Sequence, residues 1–460
     1  MTILKGASRM TRSIAMGSTA DNRHNYVSGC MGSALRIGSV MQINLQRGLD
    51  LVLPGEPEQV VYAAAPVSEV AVLGPDYAEA RPRLAVAEGE FVSLGQTLFT
   101  DRRDAALRYT SPASGRVVTV LRGRRRRLLA ISIEIDPSAQ ESNAYAAHAR
   151  DELPRLAHQT VRERLLDSGL WTAFRARPFD AVPSSQSAPR AILVTAMDSN
   201  PLAANPLAVL ADQRQEFADG LTVLARICNR VVLCSRPAAF RTADFSTDIE
   251  LAEFSGPHPA GLPGTHLQFV GPAAERGDVW HIGYQDVVAI GVLFVTGSLM
   301  TERVVALGGP GAKRPRLLRT RLGAAVRELL HDEMTDDGIA IAGSVLAGRR
   351  VDAGMPYLGR YDTQISILRE SAEPDLRYAS QPARPSGMLN VEAFERVWPF
   401  DMPPLPLLRA LLTLDVEMTR RLGGLALAAE DLALCSYICP AKQDYGTALN
   451  ATLDRYREEL

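Results

Sequence analysis

Cysteine is scarce. The 460-residue chain holds five, at positions 30, 228, 234, 435 and 439. A set that is odd in number and widely scattered excludes a disulfide framework and suits a reducing compartment. Long apolar runs are absent as well. The best candidate, 287–300, contains Gly291 and Gly297 and falls short of the ~20 residues that a bilayer span needs. It reads as a buried strand and turn, or as a core helix. Charge of one sign is lacking: the net value is −2, which argues against a general binder of nucleic acid or anionic lipid. No G-x-G-x-x-G follows the strand-like AILVTA (191–196), where MDSNPLAANP stands instead, and Arg314 breaks the pattern begun by Gly309-Pro310-Gly311. No G-x-x-x-x-G-K-[ST] occurs, so nucleotide binding has no phosphate loop to rest on. Ser-His-Asp order, a nucleophile elbow and a metalloprotease motif are missing too.

What is present implies several domains, because this length exceeds one ordinary core. Residues 1–40 are Ser/Gly/Met-rich, carry an excess of basic residues and lack an apolar signal segment, so they are expected to be a disordered extension. Residues 41–140 alternate apolar and polar positions and read as a β-rich domain. Residues 141–300 place a helix-like stretch (Val161, Leu165 and Leu166 on one face, Gly169 at its end) before a β-α-β series: AILVTA, then 215–229, then RVVLCS. That order predicts a Rossmann-like, doubly wound parallel sheet. Residues 301–370 form a small α+β unit with a helical RLGAAVRELLHDE, 371–390 a Pro/Ser-rich linker, and 391–460 a helical domain. Arg124–Arg127 fall at an expected hairpin tip. They are either a solvated turn or an electrostatic contact for a partner or lipid headgroups.

The richest stretch is GPHPAGLPGTHLQFVGPAAERGDVWHIGYQDVVAIG, residues 256–291. Its Gly and Pro residues impose unusual backbone geometry, and rigid loops with polar groups commonly recognise ligands. His258, His266 and His281 are too far apart for a compact zinc motif. With Trp280, Tyr284, Gln285 and Asp286 they form a polar-aromatic group. A quinone headgroup wants apolar walls and one or two donors such as His or Tyr. The same residues also suit a β-strand corner packed on a neighbouring protein of an assembly. Cys435 and Cys439 form a C-x3-C-P turn, with too few thiolates for an iron–sulfur cluster. They read as small buried thiols, or as half of a metal site that a partner protein completes.

GPHPAGLPGTH followed by VWHIGYQDVVAIG resembles the NqrA family of the sodium-translocating NADH:quinone reductase. QRGLDLVLPGEPEQ, YTSPASGRVVTVLRG, MDSNPLAANP, YLGRYDTQISIL and EDLALCSYICPAKQDYG match in the family's order over about 41–460. LAVAEGEFVSLGQTLF with SPASGRV resembles the barrel-sandwich of biotinyl and lipoyl carriers, but TDRRDAALR between them lacks the carrier lysine. The resemblance implies a β-grasp-like fold for 301–370 and a family segment longer than 371–390. It implies a peripheral protein on the cytoplasmic face of a bacterial inner membrane, in a complex of six subunits that oxidises NADH, reduces ubiquinone and exports sodium. It further implies that the membrane component NqrB is the principal partner, that flavins and iron centres sit on other subunits, and that this chain binds no cofactor, nucleic acid or membrane directly. The alternatives are a purely structural adaptor and an Rnf-type electron-transport protein; the Rnf counterpart, RnfC, carries full cluster motifs near this region.

Overall fold

The chain's apolar runs are short and β-branched, which favours many strands tied by brief helices. A computed structural model describes residues 27–29, 32–37, 40–139, 145–245, 249–271, 279–351, 354–370 and 391–459. In chain order the strands are β1 (Val27–Gly29), β2 (Gly32–Ile37), β3 (Val40–Leu45), β4 (Glu58–Ala63), β5 (Glu69–Leu73), β6 (Pro82–Leu84), β7 (Phe91–Val92), β8 (Thr97–Asp101), β9 (Arg108–Thr110), β10 (Gly115–Arg122), β11 (Leu128–Ile135), β12 (Arg175–Arg177), β13 (Ala191–Ala196), β14 (Val231–Ser235), β15 (Glu250–Ser255), β16 (Val279–Gly283), β17 (Glu302–Gly308), β18 (Arg316–Arg321), β19 (Gly338–Ala342), β20 (Arg349–Arg350) and β21 (Gln364–Arg369). The helices are α1 (His158–Asp167), α2 (Pro206–Val209), α3 (Arg214–Leu224), α4 (Pro263–Val270), α5 (Tyr284–Thr296), α6 (Val326–Leu329), α7 (Val391–Val397), α8 (Pro404–Leu412), α9 (Val416–Arg421), α10 (Ala433–Ile438) and α11 (Tyr445–Glu459).

The β-rich unit pairs the sheet β5-β11-β10-β7 with the sheet β6-β8-β9. Leu98, Phe99, Tyr109, Val117 and Ile131 are buried in its core, with the Phe99 and Tyr109 rings stacked 4.3 Å apart. Two strands from the expected 41–140 domain leave it. β3 joins the parallel sheet beside β15, and β4 pairs with β18 of the third unit. Local alternation marks a strand but not its partner, so the sequence boundary did not show this exchange.

The large sheet has the order β1-β2-β3-β15-β14-β13-β16-β12. Strands β3, β15, β14, β13 and β16 run parallel. β14 is buried along its whole length, as expected for a strand covered on both faces. The edges are antiparallel: β12 against β16, and the β1–β2 hairpin on β3. This hairpin corrects the expectation of an unstructured 1–40, because residues 27–29 and 32–37 supply pairing for an otherwise open edge. Residues 1–26 and the expected linker 371–390 lie outside the described residues. The 287–300 run resolves as α5, capped by Gly297 at φ 75°. α5 crosses α3 at two glycines. A Cβ at Gly220 would lie 2.0 Å from the Val287 carbonyl oxygen, and one at Gly291 2.0 Å from that of Glu216. Both helices are therefore held at a backbone-to-backbone separation that no larger residue fits.

The third unit is the sheet β20-β19-β21-β17-β18-β4. Its expected long helix is only α6, since β18 extends to Arg321 and the turn at 322–325 uses part of the apolar pattern. The C-terminal helices bury Leu407, Leu411, Leu432 and Tyr445 together with Leu53, Leu202 and Ile341, so they pack on both neighbouring units. No helix among the described residues is long and apolar enough to cross a membrane.

Candidate functional site

β13 opens the α/β series and β16 closes it, yet the two lie side by side. The chain leaves β13 toward β14 on one side and reaches β16 on the other. In open parallel sheets such a reversal leaves a crevice beyond the carboxyl ends of the strands, where ligands bind. A cavity of about 210 Å³ lies there. Thr195, Met197 and Asp198 line it from the end of β13, and His281, Gly283 and Tyr284 from the end of β16. Arg175 and Asp180 come from the β12 edge, Arg303, Arg360, Tyr361 and Asp362 from the third unit, and Glu430 from the C-terminal helices. The cavity is thus closed by three parts of the chain.

An ion network forms one wall. Arg175 donates from Nη2 to Asp180 Oδ2 at 2.5 Å and from Nε to the Asp180 carbonyl at 2.7 Å. His281 Nε2 lies 2.8 Å from Asp180 Oδ1. A carboxylate only accepts, so this nitrogen carries the proton and Nδ1 is left as an acceptor. The fully buried Arg177 reaches Asp180 at 3.4 Å and Asp431 at 3.8 Å. Burial would raise the Asp180 carboxyl, but Arg175, Arg177 and His281 outweigh it and hold it well below the usual range. Burial also pushes His281 down. Asp180 opposes that shift and the two guanidiniums reinforce it, so the imidazole is neutral at neutral pH. Phe179 and Asp180 adopt φ 80° and 48°, a left-handed backbone that non-glycine residues rarely take. The arginine contacts hold Asp180 there.

On the other wall Asp286 accepts from Arg303 at 2.7 Å and Arg360 at 2.8 Å. Gln285 reaches past the cavity to β17, donating to the Val304 carbonyl at 2.9 Å and accepting from its N–H at 2.8 Å. It thereby fastens α5 to the third unit. Asp198, Asp362 and Glu430 are all raised by burial, Glu430 further by Asp431 and Asp180. The Tyr284 phenol is raised as well, chiefly by burial, and stays a donor. The cavity therefore sets fixed cations and a phenol beside two ionised carboxylates, Asp180 and Asp286, and three carboxyls that burial shifts upward, Asp198, Asp362 and Glu430. Such a wall offers hydrogen-bond donors and a carboxyl able to give up or take up a proton near neutral pH.

The structure divides the sequence candidates. His281, Tyr284, Gln285 and Asp286 line the cavity; His258, His266 and Trp280 do not. Trp280 alternates to the opposite sheet face and packs on Trp171 and Phe174 at 5.2 and 5.3 Å. His266 Nε2 donates to the Ala260 carbonyl at 3.1 Å, while Nδ1 takes the Thr195 hydroxyl at 3.3 Å. His258 Nδ1 meets Ser199 Oγ at 3.0 Å, and Asp50 accepts its backbone N–H at 2.8 Å. Burial lowers His258 to about 4 and His266 to about 3. These two histidines pin the 256–262 loop against the end of β13. Cys435 and Cys439 are buried among the C-terminal helices, where the Cys439 sulfur lies 3.3 Å from the Tyr445 hydroxyl. Among the described residues, no group of three or more His, Cys, Asp or Glu is placed to hold a metal.

A nucleotide phosphate fits this crevice poorly. The turn after β13 is closed by the Asp198 carboxylate, which accepts from the Asn200 N–H at 2.8 Å. The first turn of α4 is approached by Asp431, whose carboxylate would lie 2.1 Å from a Cβ at Gly264. These two places already face acids, and the third, the first turn of α5 beside β16, carries Asp286.

Family models match along the chain: the NqrA N-terminal barrel-sandwich hybrid domain over 43–136, the NqrA second alpha/beta domain over 156–299, and the NQRA C-terminal domain over 304–353. The chain belongs to the NqrA family. Relatives named as the A subunit of Na(+)-translocating NADH-quinone reductase include that of Pseudomonas aeruginosa PAO1, 43% identical over 91% of this chain and 100% of its own. Those of Marinomonas sp. MWYL1 (42%, covering 90% and 99%) and Shewanella frigidimarina (43%, covering 91% and 100%) are alike. A solved NAD+-reducing [NiFe]-hydrogenase shares 12% identity over 68% of this chain and 66% of its own, with a TM-score of 0.37. Arg175, Asp180, Asp198, Arg303, Arg360, Asp362 and Glu430 line the cavity and were not among the residues that the sequence pointed to. Asp198, Arg360, Asp362 and Glu430 sit inside MDSNP, YLGRYD and EDLAL, motifs visible in sequence without any sign that they converge.

Proposed function

We propose that this chain is the peripheral NqrA component of a Na(+)-translocating NADH:ubiquinone reductase of six subunits, and that the cavity at the β13–β16 ends shapes or gates the quinone path. The observation that carries this reading is the convergence of His281, Tyr284, Arg175 and Tyr361 on one cavity, where burial raises the carboxyls of Asp198, Asp362 and Glu430 while arginines hold Asp180 and Asp286 ionised. A quinone ring offers two carbonyl acceptors, and the Tyr284 phenol and the guanidiniums supply donors. Proton-holding carboxyls suit a headgroup that takes up protons on reduction. On this reading the parallel unit is Rossmann-like without its nucleotide, and the third unit is β-grasp-like. The chain carries no cofactor, and flavins and iron centres belong to other subunits. It docks on the membrane component NqrB at the cytoplasmic face of the inner membrane, and its work is coupled to sodium export without catalysis by the isolated chain.

A photoreactive ubiquinone analogue applied to the intact complex tests the reading. Label on the 171–180 or 279–286 segments is expected. Label confined to other subunits overturns the quinone role and leaves a structural adaptor. Tyr284→Phe is expected to slow quinone reduction several-fold while NADH oxidation by artificial acceptors is unchanged.

A further inference from the structure

The β-rich unit carries a second concavity, separate from the site above. Its cleft, about 730 Å³, is lined by Arg81, Arg102, Arg122, Arg125, Arg126 and Arg127, and among the described residues no carboxylate lines it. All six arginines are exposed, over a floor that includes the buried Tyr77 and Phe99. They come from three chain segments: the start of β6, the end of β8 and the β10–β11 turn. Among the described residues none of the six forms an ion pair, whereas Arg103 beside them pairs with Asp101.

The acids nearby are already engaged. Asp101 accepts from the backbone N–H groups of Arg81 and Arg103, and Glu79 from that of Val182. At the hairpin tip Arg125 and Arg126 take φ 55° and 60°. That left-handed pair folds the tip back, so its arginines face the same cleft as Arg81 and Arg102. A run of arginines on a solvated turn would spread its charges over a convex surface. Here like charges converge on a concavity, an arrangement that a bound polyanion relieves. Planar guanidiniums grip phosphate oxygens in pairs, and one phosphate is too small to engage six of them. The cleft volume lies in the range of small-molecule sites, about 300–1,000 Å³.

We propose that this arginine cleft binds a group bearing two or more phosphates, from a free polyphosphate or from a diphosphate lipid headgroup. The lipid source is suggested by apolar side chains on the same unit: Val118 (47% exposed) and Leu121 (38%) on β10, and Phe91 (47%) on β7. Exposed apolar groups beside basic ones characterise surfaces that lie on anionic membranes. Both sources share the same phosphate chemistry.

The test uses the purified full-length chain. Sodium tripolyphosphate is titrated calorimetrically at low and moderate salt, and the chain is co-sedimented with phosphatidylcholine vesicles with and without cardiolipin. Each is repeated with the Arg125→Gln/Arg126→Gln double variant and with Arg241→Gln as a control on the α/β unit. Both substituted tip residues are exposed and outside the core, and circular dichroism verifies the fold. Binding weakened about tenfold or more by the double variant, unchanged by the control and diminished by salt supports the cleft. Binding of tripolyphosphate identifies a soluble polyphosphate as the source, and binding of cardiolipin vesicles alone identifies the headgroup. No binding of either, or equal binding by wild type and double variant, overturns the proposal.

Discussion

Asp180 Oδ1 sits 2.8 Å from His281 Nε2 while Oδ2 of the same carboxylate sits 2.5 Å from Arg175. One acid therefore positions the cavity's imidazole and neutralises the guanidinium beside it, and Arg177 leans on it from the buried side.

Asp180→Asn is expected to destabilise the chain by about 3–5 kcal/mol, because it leaves Arg175 and the buried Arg177 without their shared anion. His281→Gln removes one hydrogen bond and is expected to cost about 1 kcal/mol. Urea unfolding of the two variants checks the order. A larger loss for His281→Gln would mean that the histidine, and not the acid, organises this wall.

Gly291→Ala should cost roughly 1–3 kcal/mol or more, since its Cβ would meet the Glu216 carbonyl oxygen at 2.0 Å and force α3 and α5 apart. Gly283→Ala is the contrast. Its nearest neighbour would be Asp286 at 3.9 Å and its φ of −77° suits any residue, so the melting temperature should stay within a few degrees of wild type. Thermal unfolding of both variants reads the difference directly.

His258 and His266 are neutral in the fold, at about 4 and about 3, against an ordinary value of 6.5. Below 6.5 the unfolded chain takes up protons that the folded chain refuses, so these residues withdraw stability as pH falls from 6.5 toward 4. The His258→Asn/His266→Gln double variant is expected to lower the melting temperature at pH 7 and to lose less of it on acidification. An unchanged acid slope, relative to wild type, would show that the two rings are not the source of that pH dependence.

Glu430 behaves in the opposite sense. Burial, Asp431 and Asp180 raise its carboxyl above the ordinary 4.5. Between its unfolded and folded pKa values the folded chain holds the extra proton, so ionising the carboxyl costs stability as pH rises. Glu430→Gln removes that ionisation. It is expected to raise the melting temperature at pH 8 by more than at pH 5, measured on the same variant in matched buffers. A gain confined to pH 5 would contradict the direction of the shift.

Much of the architecture was legible locally. AILVTA and RVVLCS are buried parallel strands, Gly169 ends α1 at φ 78°, and Arg124–Arg127 do form a hairpin tip. The site was legible only in part. VWHIGYQD drew attention to His281, Tyr284, Gln285 and Asp286, which line the cavity, but His258 and His266 are loop pins and Trp280 is a core residue. A histidine in a Gly/Pro-rich loop looks the same in sequence whether its ring faces ligand or the neighbouring backbone. The partners of the four cavity residues come from positions 175–180, 303, 360–362 and 430, far apart along the chain.

By itself the sequence determined family membership, the run of strands and helices, and the absence of a phosphate loop, because each is written in contiguous residues and their spacing. Only the tertiary structure decided that β3 and β4 desert their own domain, that Asp180 is the anion shared by Arg175, Arg177 and His281, and that six arginines face one cleft. Those outcomes depend on which strand edges pair and which carboxylates are buried within reach of which cations. Such pairings are settled by packing between residues far apart along the chain, where local pattern carries no information.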